Sequence, residues 1–490
     1  MKSVAVIGAG IGGLAVSLRL KAQGFRVVVF EKNHRPGGKL AELHMDGFRF
    51  DTGPSLFTLP EYVEELFELF GEKMSDFIPY RQLDVNCRYF FPDDSQIVFY
   101  HDQDRLRDEL SRSNVQSAHQ LFARLQRAAR MYELGAPVFL NNDLHRLAGF
   151  NTPSGRRAAM RLAELDFMRS MHGANMRDFC DRRLVSIFDR YATYNGSDPY
   201  KAPATLNMIA HLENNLGASF PLRGMYSIAD GLFRLARRYG VEFRLGTRVE
   251  SVVRSKRKVE GICSANGFEH YDIVVCDADV AYAADNLLSD GRLVRRLAKR
   301  PKSSSALIFY WGMNGIHSHF DLHNIFFSDD YRAEFRDIFT RHTIPDEPTV
   351  YLFISSRMVP DDAPSGCENW FAMINVPADC GQHWDELIPA ARRRILRRIE
   401  HFAGHELESH IICEHVASPL TIERDTFSHR GALYGTASNS MFSAFLRHPN
   451  YSSRCRNLYF TGGSVHPGGG IPLCVASAKI VAQLISRSDE

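Results

Sequence analysis

Val4-Ala5-Val6-Ile7-Gly8-Ala9-Gly10-Ile11-Gly12-Gly13, at the start of a 490-residue chain, decides the fold class. Four apolar residues run directly into a glycine cluster, and Leu14-Ala15-Val16-Ser17-Leu18-Arg19-Leu20 follows with helical spacing. A second apolar run, Phe25-Arg26-Val27-Val28-Val29-Phe30, ends on Glu31. Strand, glycine turn, helix, strand and acid in that order predict a parallel α/β unit that binds a dinucleotide. Gly8 permits the tight turn, Gly10 lets the backbone approach a pyrophosphate, and Gly13 lets the helix pack closely on the strand. The exposed amides at the helix N-terminus then face the phosphates. Glu31 stands where a carboxylate accepts hydrogen bonds from a ribose, roughly 20 residues beyond the glycines.

Composition narrows what surrounds this unit. The length suits two or three domains. With 44% hydrophobic and 24% charged residues the chain reads as an ordinary globular protein. A net charge of +2 leaves no cationic excess to neutralise phosphates, so no nucleic-acid partner is expected. The nine cysteines are scattered without a CxxC pair, which reads as reduced thiols in a cytoplasmic protein with no metal site. Neither a Ser-His-Asp set nor HExxH supports hydrolysis or metal catalysis. Residues 3–18 resemble a signal-peptide core, but their glycines are spaced for phosphate. Residues 458–478 lack Asp, Glu, Lys and Arg, yet their glycines and prolines forbid a lipid-exposed helix, so no transmembrane helix is expected.

Two further glycine-rich stretches repeat the opening theme. In Glu31-Lys32-Asn33-His34-Arg35-Pro36-Gly37-Gly38-Lys39-Leu40 a glycine pair gives a second close backbone approach, and Arg35 and Lys39 offset phosphate charge. The alternating run Phe48-Arg49-Phe50-Asp51 breaks at Gly53-Pro54-Ser55, which lets backbone lie against a flat ring. Far downstream, Leu458-Tyr459-Phe460-Thr461-Gly462-Gly463-Ser464-Val465-His466-Pro467-Gly468-Gly469-Gly470-Ile471-Pro472 leads from strand through glycine loop into a helix at 475–486. Its amides are again offered to something anionic or electron-rich. His466 reads as a turn-stabilising imidazole, not a proton carrier.

Between these landmarks, residues 57–70 have helical periodicity and 89–100 read as a β-hairpin. Residues 102–190 read as mostly helical. Between Arg156 and Arg190 eight arginines face five acids, interleaved with Leu165, Phe167, Met168, Met171 and Phe179. That pattern fits either a salt-bridged solvent face or a membrane-surface region, and 136–140 would suit lipid contact or a tunnel mouth. Residues 241–277 return to strands. Helices at 292–300 and 391–400 read as surface covers, and β-prone runs at 303–311, 350–356 and 370–376 fit an antiparallel sheet lining a hydrophobic cavity. Asp189, Arg190, Tyr194 and His211 are polar residues in the same region, and none is singled out as a general base.

The glycine motifs, Glu31 and Asp51-Thr52-Gly53-Pro54 resemble the amino-terminal signature of FAD-dependent amine oxidases and phytoene desaturases. The terminal His466-Pro467-Gly468-Gly469-Gly470-Ile471-Pro472 is similar to the carotenoid desaturase signature, and Leu473-Cys474 resembles the hydroxycarotenoid 3,4-desaturase subgroup. Pro221-Leu222-Arg223-Gly224-Met225 stands for the family's PxGGM element, with Arg223 in place of one glycine. The resemblance covers the whole chain. It implies an α/β fold, a Rossmann-like FAD-binding domain with an inserted α+β substrate domain built on an antiparallel sheet plus a helical region. The implied division is FAD-binding segments at 1–75, 226–290 and 426–490, a helical substrate region at 76–225 that could face a membrane, and a substrate sheet with cover helices at 291–425. The FAD-binding set carried over is Gly8, Ala9, Gly10, Ile11, Gly12, Gly13, Glu31, Lys32, Arg35, Gly37, Gly38, Lys39, Leu40, Gly53, Pro54, Ser55, Val249, Gly462, Gly463, Gly470, Ile471 and Pro472, with Val249 presenting its backbone to the adenine. The implied activity is desaturation of a carotenoid, either at C-3,4 of a 1-hydroxycarotenoid or, as in phytoene desaturases, at several positions. With no second strand-bound GxGxxG, electrons are expected to leave to a quinone or dioxygen. The implied location is cytoplasmic, peripherally on a membrane. An amine oxidase or polyene saturase would share the flavin motifs, as would a non-catalytic lipid-binding flavoprotein.

Overall fold

Five short parallel strands form the floor on which the glycine loops meet. The computed structural model describes the chain except residues 141, 146–152, 441–442, 444–446 and 490. The strands lie in the order Leu458–Phe460, Ile273–Cys276, Ser3–Ile7, Arg26–Phe30, Glu242–Arg244. Their buried Val and Ile runs are what a parallel sheet covered on both faces requires. Helix Ile11–Ala22 is buried along Ile11 to Leu20 and packs between this sheet and the terminal helix Ile471–Asp489. Nearly all its surface is covered, so it carries no amphipathic pattern. The one buried cation on it, Arg19, pairs with Glu65 at 3.1 Å.

A seven-stranded sheet stands apart, in the order Ile411–Ala417, Ser305–Asn314, Cys367–Val376, Val350–Phe353, His323–Phe326, Val85–Phe90, Gln96–Tyr100. All neighbours are antiparallel except His323–Phe326 with Val85–Phe90, so the expected antiparallel sheet is mixed at one junction. Helix Trp384–Ala403 covers one face, burying Trp384, Ile395 and Ile399. The 241–253 strands belong to two sheets: Glu242–Arg244 edges the parallel sheet, whereas Val249–Ser255 pairs with Lys258–Ser264 in a three-stranded sheet.

The helical region runs through Gln103–Arg112, His119–Phe139 and Arg182–Arg190, with shorter turns between. The 136–140 tract is turned inward, and Ala136, Phe139 and Leu140 line the cavity described below. Ala136, Val138 and Leu140 are buried, and Ala136 and Leu140 pack with Ala476 of the terminal helix. Met171 and Phe179 are buried as well, while Met168 is 80% exposed. Among the described residues no helix is long and apolar enough to cross a membrane.

Candidate functional site

All five parallel strands end on the same side, and the residues after the three central ones, Gly8, Glu31 and Asp277, line one crevice. Ile7 is in register with Phe30 and Cys276, and Cys276 with Phe460. Gly8, Glu31, Asp277 and the Thr461-Gly462 pair therefore emerge side by side, where open parallel sheets bind ligands. Gly8 has φ +101°, open to glycine and strained for other residues, and its amide donates to the Phe30 carbonyl at 2.8 Å. A Cβ on Gly12 would sit 2.9 Å from the Cα and N of Gly462, so the first and last glycine loops touch backbone to backbone. The middle loop joins them: Gly37 donates to the Ala9 carbonyl at 2.8 Å, and a Cβ on Gly38 would lie 3.2 Å from Gly10 Cα. Gly53 is equally tight, since its Cβ would lie 2.0 Å from the Lys39 carbonyl oxygen.

This cradle opens into one cavity of about 1020 Å³, at the upper end of the 300–1,000 Å³ typical of small-molecule sites. Of the residues expected at the cofactor, all but Ala9 and Gly13 line it. Ala9 is fully buried and gives its N–H to Glu31 Oε2 at 2.8 Å. Gly13 faces Gly8, whose carbonyl oxygen would be 2.1 Å from an added Cβ. Its part is the helix–strand packing assigned to it. Glu31 also accepts from Asn33 N at 2.9 Å, which fixes its carboxylate at the strand end.

The two expected cations part company. Lys39 is half-buried in the cradle, where its Nζ donates to the Leu433 carbonyl at 2.5 Å and desolvation lowers its pKa. Arg35 pairs with Glu42 at 3.1 Å and keeps a largely exposed side chain. Two residues of the site carried no sequence signal that singled them out. Asp277 sets its carboxylate among the glycines, its oxygens 2.6 and 2.3 Å from the Cβ positions of Gly10 and Gly12. Burial pushes this carboxyl up to about 7 against the amides of Gly13 and Gly10, with Glu31 adding to the rise. Arg447 is buried beneath Gly468, its Nη1 donating to the Tyr434 carbonyl at 2.7 Å. Burial brings its guanidinium down to about 10. The position of Asp277 just past a buried strand was the available clue; Arg447 lies in no motif.

His466 is fully buried, and its Nε2 donates to the Asn142 carbonyl at 3.0 Å, tying the terminal loop to the helical region. Burial drives it down to about 4, so the ring is neutral near pH 7 and serves as a strut. Arg223 donates to the Phe77 carbonyl at 2.6 Å beside Gly224, and the amides of Met225 and Tyr226 are capped by Asp51 at 2.8 and 2.9 Å.

Away from the cradle the cavity is walled by Phe139, Leu206, Ile209, Ile308 and Phe371, and it also meets a buried polar group. Arg190 donates to Glu213 Oε1 at 2.9 Å and to the Tyr89 hydroxyl at 2.9 Å, and Tyr194 bonds both Arg190 and Glu213. Arg190, Tyr194 and Glu213 line the cavity. Arg190 Nε is buried without a hydrogen-bond partner among the described residues. Asp189 turns away to His172 at 2.6 Å and Asn175 at 2.8 Å, and His211 contacts Tyr132, so neither lines the cavity. Tyr351 joins Ser55 at 2.6 Å to His323 at 2.8 Å.

A glycine-lined anion cradle at the carboxyl ends of a parallel sheet, opening into an apolar cavity, defines a dinucleotide-dependent enzyme of the flavoprotein kind. The family model for flavin containing amine oxidoreductases matches residues 11–486. The chain is 43% identical to 1-hydroxycarotenoid 3,4-desaturase from Flavobacterium sp. (strain P99-3), with both chains covered completely. It is 33% identical to 4,4'-diapolycopene oxygenase from Methylomonas sp, covering 98% of this chain and 97% of that one. Its fold matches a crystal structure of an oxidoreductase from Methanosarcina mazei with TM-score 0.66 at 14% identity, over 99% of this chain and 100% of the other. The chain belongs to the flavin-containing amine oxidoreductase family. The cofactor of that family is FAD, and the cradle suits it: three glycine backbones approach too closely for any side chain, as contact with a pyrophosphate requires.

Proposed function

We propose that the protein is an FAD-dependent carotenoid desaturase that forms the C-3,4 double bond of a 1-hydroxycarotenoid. The observation that carries the substrate class is the cavity running from the cradle past apolar walls to the buried polar group of Arg190, Tyr194 and Glu213, all three of which line it. A long apolar ligand with one hydroxyl matches such a cavity, its hydrocarbon against the apolar walls and its hydroxyl toward the Arg190, Tyr194 and Glu213 group. The full-length 43% identity to a 1-hydroxycarotenoid 3,4-desaturase supports the same assignment.

In this reading Gly8, Gly10, Ile11, Gly12, Gly462 and Gly463 hold the pyrophosphate, with Lys39 as the half-buried cation. Glu31 and Lys32 take the ribose, Val249 the adenine, and Gly53, Pro54, Ser55, Gly470, Ile471 and Pro472 the ring system. Arg35, Gly37, Gly38 and Leu40 complete the middle wall. Bound FAD would supply a two-electron acceptor that takes a hydride from a CH–CH unit as a proton leaves, passing electrons on to a quinone or dioxygen. The protein's own work is then to hold the polyene in register and keep water out. The division into three cofactor segments and two inserted ones goes with this reading, because the parallel sheet draws strands from 1–75, 226–290 and 426–490. So does peripheral docking on the cytoplasmic face of a membrane, supported by Met160 and Met168, 81% and 80% exposed, near Arg156 and Arg157. Flotation with anionic lipid vesicles checks it; protein that stays at the bottom of the gradient removes it.

Co-expression in strains that make γ-carotene, its 1-hydroxy derivative or phytoene tests the assignment by pigment chromatography. The expected product, two hydrogens lighter, appears with the 1-hydroxy compound. Product from phytoene alone, or an oxygenated product, would overturn the 3,4 assignment.

Asp277 gives a pH prediction. Its carboxyl titrates about 7 among the amides that meet the phosphates, so its ionised form competes with them. FAD affinity is expected to fall as pH rises through 7, and Asp277→Asn to bind more tightly at pH 8 with the slope gone. In the apoprotein the raised carboxyl contributes stability that is complete below the ordinary Asp range and lost as pH rises through about 7. Fluorescence titration with FAD at pH 6 and 8 decides it; parallel slopes in both proteins would refute the competition.

A further inference from the structure

Three histidines meet at the far edge of the seven-stranded sheet, and none of them lines the cavity. His317 follows strand Ser305–Asn314, His405 follows helix Trp384–Ala403, and His410 precedes strand Ile411–Ala417. One ring nitrogen from each lies within 4.8 Å of the other two. His317 is buried, His410 half-buried and His405 exposed, so the cluster has a solvent path.

The partners of the other nitrogens decide what this cluster can do. His405 Nδ1 lies 3.0 Å from the Ala403 carbonyl oxygen, and His410 Nδ1 lies 3.1 Å from that of Asn314. A carbonyl only accepts, so each Nδ1 carries the proton. His317 Nδ1 lies 3.1 Å from Glu368 Oε2, and Glu368 is held by Arg357 at 2.6 Å. Its Nδ1 is thus the donor as well. All three rings are fixed in the tautomer that leaves the lone pair on Nε2. Histidines that bind metal show this arrangement, with the distal N–H given to a carbonyl or carboxylate.

We propose that His317, His405 and His410 form a site for a borderline divalent metal ion, Zn²⁺ first among them, separate from the flavin site. Three imidazoles with one open position suit zinc, and softer all-sulfur or hard all-oxygen ions are poorly served. Zn–N bonds of about 2.0–2.1 Å in a tetrahedron place nitrogens about 3.4 Å apart, so the rings draw together by at most about 1.4 Å. The bound ion would pin two strand ends and a helix end to one another. The spacing of 88 and then 5 residues matches no short motif, which is why the sequence predicted no metal.

The test uses untagged, flavin-loaded full-length protein equilibrated with micromolar ZnCl₂ against a competing chelator. One zinc per chain is expected, with X-ray absorption showing three imidazole nitrogens and with Tm raised by zinc. His405→Ala, at the exposed position, is expected to lose about 100-fold in affinity and the Tm response. His317→Ala removes a ring packed 4.9 Å from Trp370, so His410→Ala serves as the second variant. Substoichiometric zinc in the wild type, or undiminished binding in both variants, would overturn the site.

Discussion

Gly12→Ala is expected to give folded protein that carries no flavin. The residue opens a helix with ordinary backbone angles, so alanine brings no conformational strain, and helix propensity favours it. Its Cβ, however, would stand 2.9 Å from the Gly462 backbone and 2.3 Å from Asp277 Oδ1. Neither neighbour is the free end of a flexible chain: Gly462 is backbone, and Asp277 is held among amides. The first and last loops must part by several tenths of an ångström, at the spot where amides converge on the pyrophosphate. The purified variant should be colourless, with wild-type far-UV circular dichroism. Stoichiometric FAD in this variant would mean that the phosphates lie elsewhere. Gly13→Ala differs in kind, since a Cβ 2.1 Å from the Gly8 carbonyl wedges the helix off its strand, and that loss is one of folding.

The second large effect is expected at Arg190 and Glu213. Both are buried, and each is the other's charge partner at 2.9 Å. Removing one side of a buried pair leaves the other charged and unpaired, at about 3–5 kcal/mol. Glu213→Leu and Arg190→Met should each lose that much in denaturant unfolding. The double variant should lose less than either single change, because no isolated charge remains. Turnover separates the functional role from the structural one: the restabilised double variant should still fail on a hydroxylated substrate while retaining FAD. Full activity in that variant would remove the cluster from substrate recognition.

The fold was legible wherever backbone demands were local. Gly8 to Gly13 announce a turn, a close approach and a packed helix within a few residues, and Gly37-Gly38 and Gly462-Gly463 do so again. Each of these requirements acts on the residue itself, so it leaves a mark in the chain. What stayed hidden depended on distant partners. The tract at 136–140 reads as apolar and is apolar, but the terminal helix packed on it and the cavity it lines show why. Asp277 owes its raised carboxyl to burial, with Glu31 adding to the rise and the Gly13 and Gly10 amides opposing it, and all three partners lie far from it in sequence. Arg190 could be named as a polar residue of interest, yet Glu213 and Tyr89, which make it a buried anchor, come from other elements. The three histidines are the extreme case, assembled from two loops and a short turn.

The central claim is that this cavity brings a hydroxylated carotenoid to a bound flavin for oxidation of a CH–CH unit. Anaerobic mixing of the purified yellow protein with a 1-hydroxycarotenoid, followed by absorbance, tests it most directly. The flavin band should bleach in one turnover while the carotenoid spectrum moves to longer wavelength, with equal amounts of each change. A flavin that stays oxidised with the 1-hydroxy compound, or that bleaches only with an amine, would contradict the account.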